Sequence, residues 1–72
     1  GAQRRAADKD LASVDRQLAR LADRIAAKHL ELAEHDHSDH VALAELTREL
    51  RTLENEVGTL EGRWLELSEM VE

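Results

Sequence analysis

The sequence predicts an all-α fold, an antiparallel two-helix coiled coil, in one small domain of 72 residues. Apolar residues recur at alternating steps of three and four in two separate stretches, which is the spacing of helices that bury a narrow seam. The composition, with no proline and 36% charged residues, is typical of long helices. A short segment between the stretches lacks this periodicity, so we expect a helical hairpin.

The first stretch predicts a helix over about residues 4–34. Its rhythm is broken only at Lys28, where a lysine stem can lie along the seam while its ammonium reaches water. The apolar seam positions of this helix are Leu11, Val14, Leu18, Leu21, Ile25 and Leu32.

The second stretch keeps the rhythm without a break and predicts a helix over about residues 39–71. Its seam positions are Leu43, Leu46, Leu50, Leu53, Val57, Leu60, Trp64, Leu67 and Val71. The connecting turn is expected at about residues 35–38, with Ser38 as the N-cap and Asp39 in the first helical turn. Two long helices joined by so short a turn must run antiparallel.

The register of the hairpin stays open between two alternatives, in which the numbers of facing residues total 71 or 78. A total of 71 brings Asp10 near Arg63 and Arg24 near Glu49, whereas a total of 78 pairs Arg24 with Glu56. Exposed ion pairs contribute little, so the charges favour 71 only mildly.

Packing points the same way. A total of 71 sets the small Ala7 opposite the bulky Trp64, which suits a well-filled seam. Repulsion does not decide, because each total brings two pairs of acidic residues together: Asp15 near Glu54 and Asp8 near Glu61 for 71, and Glu31 near Glu49 and Asp15 near Glu61 for 78.

Basic residues recur every four positions along the first helix. Residues 1–35 carry a net charge of +1 and residues 36–72 a net charge of −7. We name as the basic ridge Arg16, Arg20, Arg24 and Lys28. Contact with the phosphates of RNA or DNA is one interpretation. Pairing with acidic residues of the same chain is the other.

The turn segment holds His35, His37 and His40 together with Asp36 and Asp39. Imidazole and carboxylate groups suit zinc or nickel. Their spacing matches no structural metal site, however, so we predict a solvated polar turn without a metal.

Other function classes find no support in the sequence. It has no phosphate-binding glycine loop and no nucleophile with a base, so we expect no catalysis and no cofactor in this fragment. No apolar run approaches the ~20 residues that span a bilayer, and we expect a cytoplasmic, monomeric fragment of a larger protein.

The chain resembles the C-terminal coiled-coil domain of ABC-F proteins. The similarity lies in 41–54 and 60–67, where Arg63-Trp64 fits the family's last helix, in 11–21, and in Ser38-Asp39-His40 at the turn. Lys28 and His40 depart from the pattern, in which an apolar and an aromatic residue are usual.

The resemblance implies the tail of a translation-associated protein with two ATP-binding cassettes and no membrane domain. ATP and Mg would then belong to the missing cassettes, and the tail would be an accessory arm that contacts the ribosome, RNA or DNA. The alternative is a structural spacer or a protein-interaction hairpin that dimerises or docks on a partner helix.

Overall fold

The computed structural model describes residues 1–71 and consists of two helices that pack side by side. Helix α1 spans Ala2–Glu34 and α2 spans His40–Val71. The molecule is a rod of 57 × 15 × 13 Å. The predicted all-α hairpin is confirmed. Helix α1 begins two residues before the predicted start, because Ala, Gln and Arg at positions 2–5 all favour helix.

The seam of the hairpin is most buried along one row of each helix. Ala7, Val14 and Leu21 lie seven residues apart on α1, and each is at most 5% exposed. Leu53 and Leu67 form the matching row on α2, with the half-buried Leu60 between them. The two small side chains of the α1 row, Ala7 and Val14, pack in one cluster with Leu67 of α2.

A core cluster closes the open end of the hairpin. It is built on Ala7, Val14 and Leu67, with half-buried apolar side chains packed around it. Leu67, and not the expected Trp64, shares this buried cluster with Ala7. Trp64 is 38% exposed and lines a groove with Asp15 and Leu18, about two to three helical turns further along α1.

The register falls between the two alternatives that the sequence left open. Asp10 pairs with Arg63 at 3.8 Å, as a total of 71 predicts, whereas Asp15 and Glu61 line the same groove, as a total of 78 predicts. Lys28 pairs with Glu49 at 2.6 Å, a contact that neither alternative gave. The turn is centred on residue 37, which corresponds to a total of 74. The Asp10–Arg63 pair was expected, but Glu49 binds Lys28 and not Arg24.

The turn spans residues 35–39, and its cap differs from the prediction. Asp39, not Ser38, caps α2, because its Oδ1 accepts a hydrogen bond from the Ala42 N–H at 3.2 Å. Ser38 instead donates its N–H and its hydroxyl to Asp36 Oδ1, at 3.0 and 2.8 Å. This Asx turn holds Ser38 one residue before the cap position.

Candidate functional site

The basic ridge lies along the exposed surface of α1. Residues four apart on a helix are neighbours on its surface, and each successive member is rotated by about 40°. Arg16, Arg20 and Arg24 are all exposed. The ridge therefore presents three guanidinium groups to solvent on one side of α1.

Lys28 ends the ridge and is already engaged. Its ammonium lies 2.6 Å from Glu49 Oε2 on α2 and 3.5 Å from Glu31 Oε1 on α1. The hydrogen bond to Glu49 raises the pKa of Lys28 above its usual value, with Glu31 adding to the effect. Lys28 thus joins the two helices and is less available to a ligand than the three arginines.

The arginines of the ridge make no such pairs. In the part of the chain that the structure describes, residues 1–71, no carboxylate lies within 4 Å of the guanidinium of Arg16, Arg20 or Arg24. Arg20 and Arg24 share an open groove with Glu56, the residue that a total of 78 would pair with Arg24. The pairing of these arginines with carboxylates is therefore not formed among residues 1–71.

The histidine turn is held by its aspartates. His35 Nε2 lies 3.0 Å from Oδ2 of Asp39, and the other carboxylate oxygen of Asp39, Oδ1, caps α2. Hydrogen bonding to His35, and then to the Ala42 N–H, lowers the pKa of Asp39. The N–H and hydroxyl of Ser38 likewise lower the pKa of Asp36. Both carboxylates therefore favour the charged form, and both are committed to structural bonds.

The metal-site candidates of the turn do not converge. His37 and His40 are exposed, while His35 faces Asp39. Across residues 1–71, the structure has no group of three or more His, Cys, Asp or Glu side chains arranged to hold a metal ion. The geometry of the turn is that of a helix connection.

The sequence of this hairpin matches a known protein family. The family model described as the ABC transporter C-terminal domain matches residues 3–69, almost the whole chain. The chain belongs to the ABC transporter C-terminal domain family. Searches of curated proteins and of solved structures found no significant match.

In this ABC C-terminal domain, the segments that carried the resemblance have clear structural roles. Arg63 pairs with Asp10 across the helices, and Asp39 caps α2. Neither α1 nor α2 has an apolar stretch long enough to cross a bilayer.

Sequence reasoning missed one surface of the domain. Leu65 is a large apolar residue outside the 3-4 rhythm, and it is 59% exposed beside Trp64. Its position off the seam and next to the only tryptophan is the signal that would have found it.

Proposed function

We propose that this domain is the accessory C-terminal arm of an ABC-F ATP-binding protein, and that α1 contacts the phosphates of RNA or DNA, on the ribosome or elsewhere. It performs no catalysis itself. ATP and Mg act in the cassettes of the parent protein, and the parent protein is cytoplasmic.

The observation that carries this proposal is the arginine row on α1. Arg16, Arg20 and Arg24 lie at the spacing of neighbours on one helix, are exposed, and are not held by ion pairs with residues 1–71. Guanidinium groups match phosphate oxygens bidentately. A row of three such groups supports contact with a nucleic-acid backbone.

The charge distribution supports α1 over α2 as the contacting helix. Residues 36–72 carry a net charge of −7, which repels phosphate, and residues 1–35 carry +1. Most of the cationic groups therefore lie on one helix of the rod. This asymmetry suits a hairpin that lays α1 along a polyanion.

The narrower assignment to ABC-F proteins rests on the segments around the turn and around Trp64. Arg63 precedes Trp64 as in that family's last helix, and the structure gives Arg63 a partner in Asp10. The residues that precede Gly1 in the parent protein provide a direct check of this assignment, since two ATP-binding cassettes are expected there.

The test is a salt titration of RNA and duplex DNA binding by the domain. We expect measurable affinity at about 50 mM salt that falls steeply towards about 200 mM. Replacing Arg20 and Arg24 by glutamine should weaken binding and reduce the salt slope by roughly one to two. No binding at about 50 mM salt would overturn the proposal.

A matched control uses α2. Arg48 and Arg51 are exposed, and their replacement by glutamine removes the same two charges. We expect this variant to retain most of the affinity. An equal loss in both double variants would show that binding follows net charge and not the arginine row.

A second candidate function, a spacer or protein-interaction hairpin, is favoured by the exposed apolar side chains. Leu65 and Met70 are 59% and 56% exposed on α2. Sedimentation that shows only monomer, together with no partner recovered by crosslinking, would count against it.

A further inference from the structure

A groove runs along one edge of the hairpin, between α1 and α2. It is open to solvent, has a volume of about 380 Å³, and is lined by the apolar Leu18, Trp64 and Leu65 and by the acidic Asp15 and Glu61. Trp64 and Leu65 keep 38% and 59% of their surface exposed. The hairpin itself therefore leaves this apolar surface uncovered.

The two acidic residues of the groove come from different helices. Asp15 belongs to α1 and Glu61 to α2, so two like charges border the same space. Within residues 1–71 neither carboxylate has a cationic side chain within 4 Å. Like charges repel each other, and a cation that enters between the two carboxylates would be attracted by both.

The floor of the groove also suits a cation on an apolar stem. An indole ring attracts an ammonium or guanidinium group over its face. The methylene stem of a lysine or arginine covers apolar surface such as that of Leu18 and Leu65. Trp64 thus provides a third attraction for the cation whose charge Asp15 and Glu61 complement.

We propose that this groove docks a basic amphipathic segment of a partner protein, with a lysine or arginine between Asp15 and Glu61 and an apolar neighbour against Leu65. Charge complementarity selects this occupant. Phosphate-bearing ligands are repelled by the two carboxylates. The groove is therefore a protein-docking surface, separate from the arginines of the basic ridge.

The small size of the groove sets the strength of the contact. Five residues line it, whereas a stable interface has roughly 20–30 residues on each side. The proposal therefore describes a weak, reversible contact that gains strength when the domain is tethered near its partner.

The experiment uses the domain and a synthetic helical peptide of about 18 residues, with leucine on one face and lysine on the other. Trp64 is the only tryptophan, so its fluorescence reports the groove directly. We expect a blue shift that saturates with peptide concentration. A peptide with glutamate in place of lysine should give no shift.

Matched variants test the acidic sides of the groove. Asp15→Asn with Glu61→Gln should weaken peptide binding about fivefold or more. The control Glu54→Gln with Glu69→Gln removes the same charge from exposed positions outside the groove and should change binding less than about twofold. Circular dichroism of each variant verifies that the hairpin is folded.

Four results would overturn the proposal, and the first three come from the peptide titrations. These are no fluorescence response to the lysine peptide, an equal response to the glutamate peptide, and an equal loss in the two double variants. A blue shift of the domain alone as its concentration rises, with dimers in sedimentation, would assign the groove to a second copy of the chain. None of these results depends on nucleic-acid binding.

Discussion

Lys28 of α1 and Glu49 of α2 form an ion pair across the seam, with Nζ 2.6 Å from Oε2. Lys28 occupies the one seam position of α1 that breaks the apolar rhythm, and its side chain is only 25% exposed. Its stem therefore packs in the seam while its ammonium reaches the acidic edge of α2. A residue that looks like a defect in the pattern contributes a link between the helices.

We expect Lys28→Leu to raise the melting temperature. A leucine would complete the apolar seam, and the ion pair that it removes is partly exposed and contributes little. Lys28→Gln, which loses the charge and gains no apolar group, should lower the melting temperature. Thermal denaturation followed by circular dichroism measures both, and a lower melting temperature for Lys28→Leu would contradict this view of the pair.

The pKa of Lys28 also predicts a change at high pH. Because the pKa is raised in the folded state, the stabilisation is fully present below the ordinary lysine pKa and is lost as pH rises through the higher folded value. Wild type should therefore lose more stability than Lys28→Gln in that range. Parallel urea titrations of the two proteins measure the difference.

The cap of α2 predicts a dependence on acid. The pKa of Asp39 is lowered, so its stabilisation is present above the ordinary carboxyl pKa and is lost as pH falls through the lower folded value. Asp39→Asn retains a capping oxygen without this titration. The melting-temperature difference between wild type and Asp39→Asn should therefore shrink from about pH 7 to about pH 3.

The identity of the cap has its own test at neutral pH. Asp39→Ala removes the oxygen that accepts from Ala42, whereas Ser38→Ala removes only the hydroxyl that binds Asp36. We expect the larger drop in melting temperature for Asp39→Ala. The reverse order would favour Ser38 as the cap.

Neighbouring leucines of α2 should respond very differently to truncation. Leu67 is 2% exposed in the core cluster, so Leu67→Ala should cost roughly 2–5 kcal/mol. Leu65 is 59% exposed, and Leu65→Ala should change the free energy of unfolding by less than about 0.5 kcal/mol. Chemical denaturation measures both values, and equal losses would contradict the burial pattern.

The two internal glycines should be replaceable with a gain in stability. A Cβ added at Gly58 or Gly62 meets no atom within 4 Å, and both residues lie inside α2. Each alanine substitution should therefore stabilise the domain by about 1 kcal/mol, which raises the melting temperature by roughly 4–8 °C. An unchanged melting temperature would mean that the added methyl group makes an unfavourable contact that the monomeric hairpin does not show.

Much of the fold could be predicted because the 3-4 rhythm reports helix pairing directly. The rhythm does not report the exact register, since a shift of one heptad, such as from a total of 71 to 78, keeps apolar groups facing one another. The register depends on the turn. There the Ser38 N–H donates a hydrogen bond to Asp36, and Asp39 caps α2. Asp36, Ser38 and Asp39 are all residue types that favour an N-cap, and they cannot be ranked without that geometry.

The two surfaces to which we assign functions by proposal could be predicted to different degrees. The spacing of Arg16, Arg20 and Arg24 placed them on one side of α1, and the structure agrees. Their freedom from ion pairs could not be read from the sequence, because it depends on the register. The groove at Leu65 also depends on the register, which brings Asp15 beside Glu61.

Photocrosslinking tests the central claim, contact of nucleic acid with the arginine row of α1, most directly. Ala27 is exposed and lies three residues after Arg24 and seven after Arg20, so it projects from the same side of α1. A benzophenone amino acid at this position should crosslink to bound RNA, whereas the same probe at the exposed Glu54 of α2 should not. Equal crosslinking at both positions, or crosslinking at position 54 alone, would contradict the account.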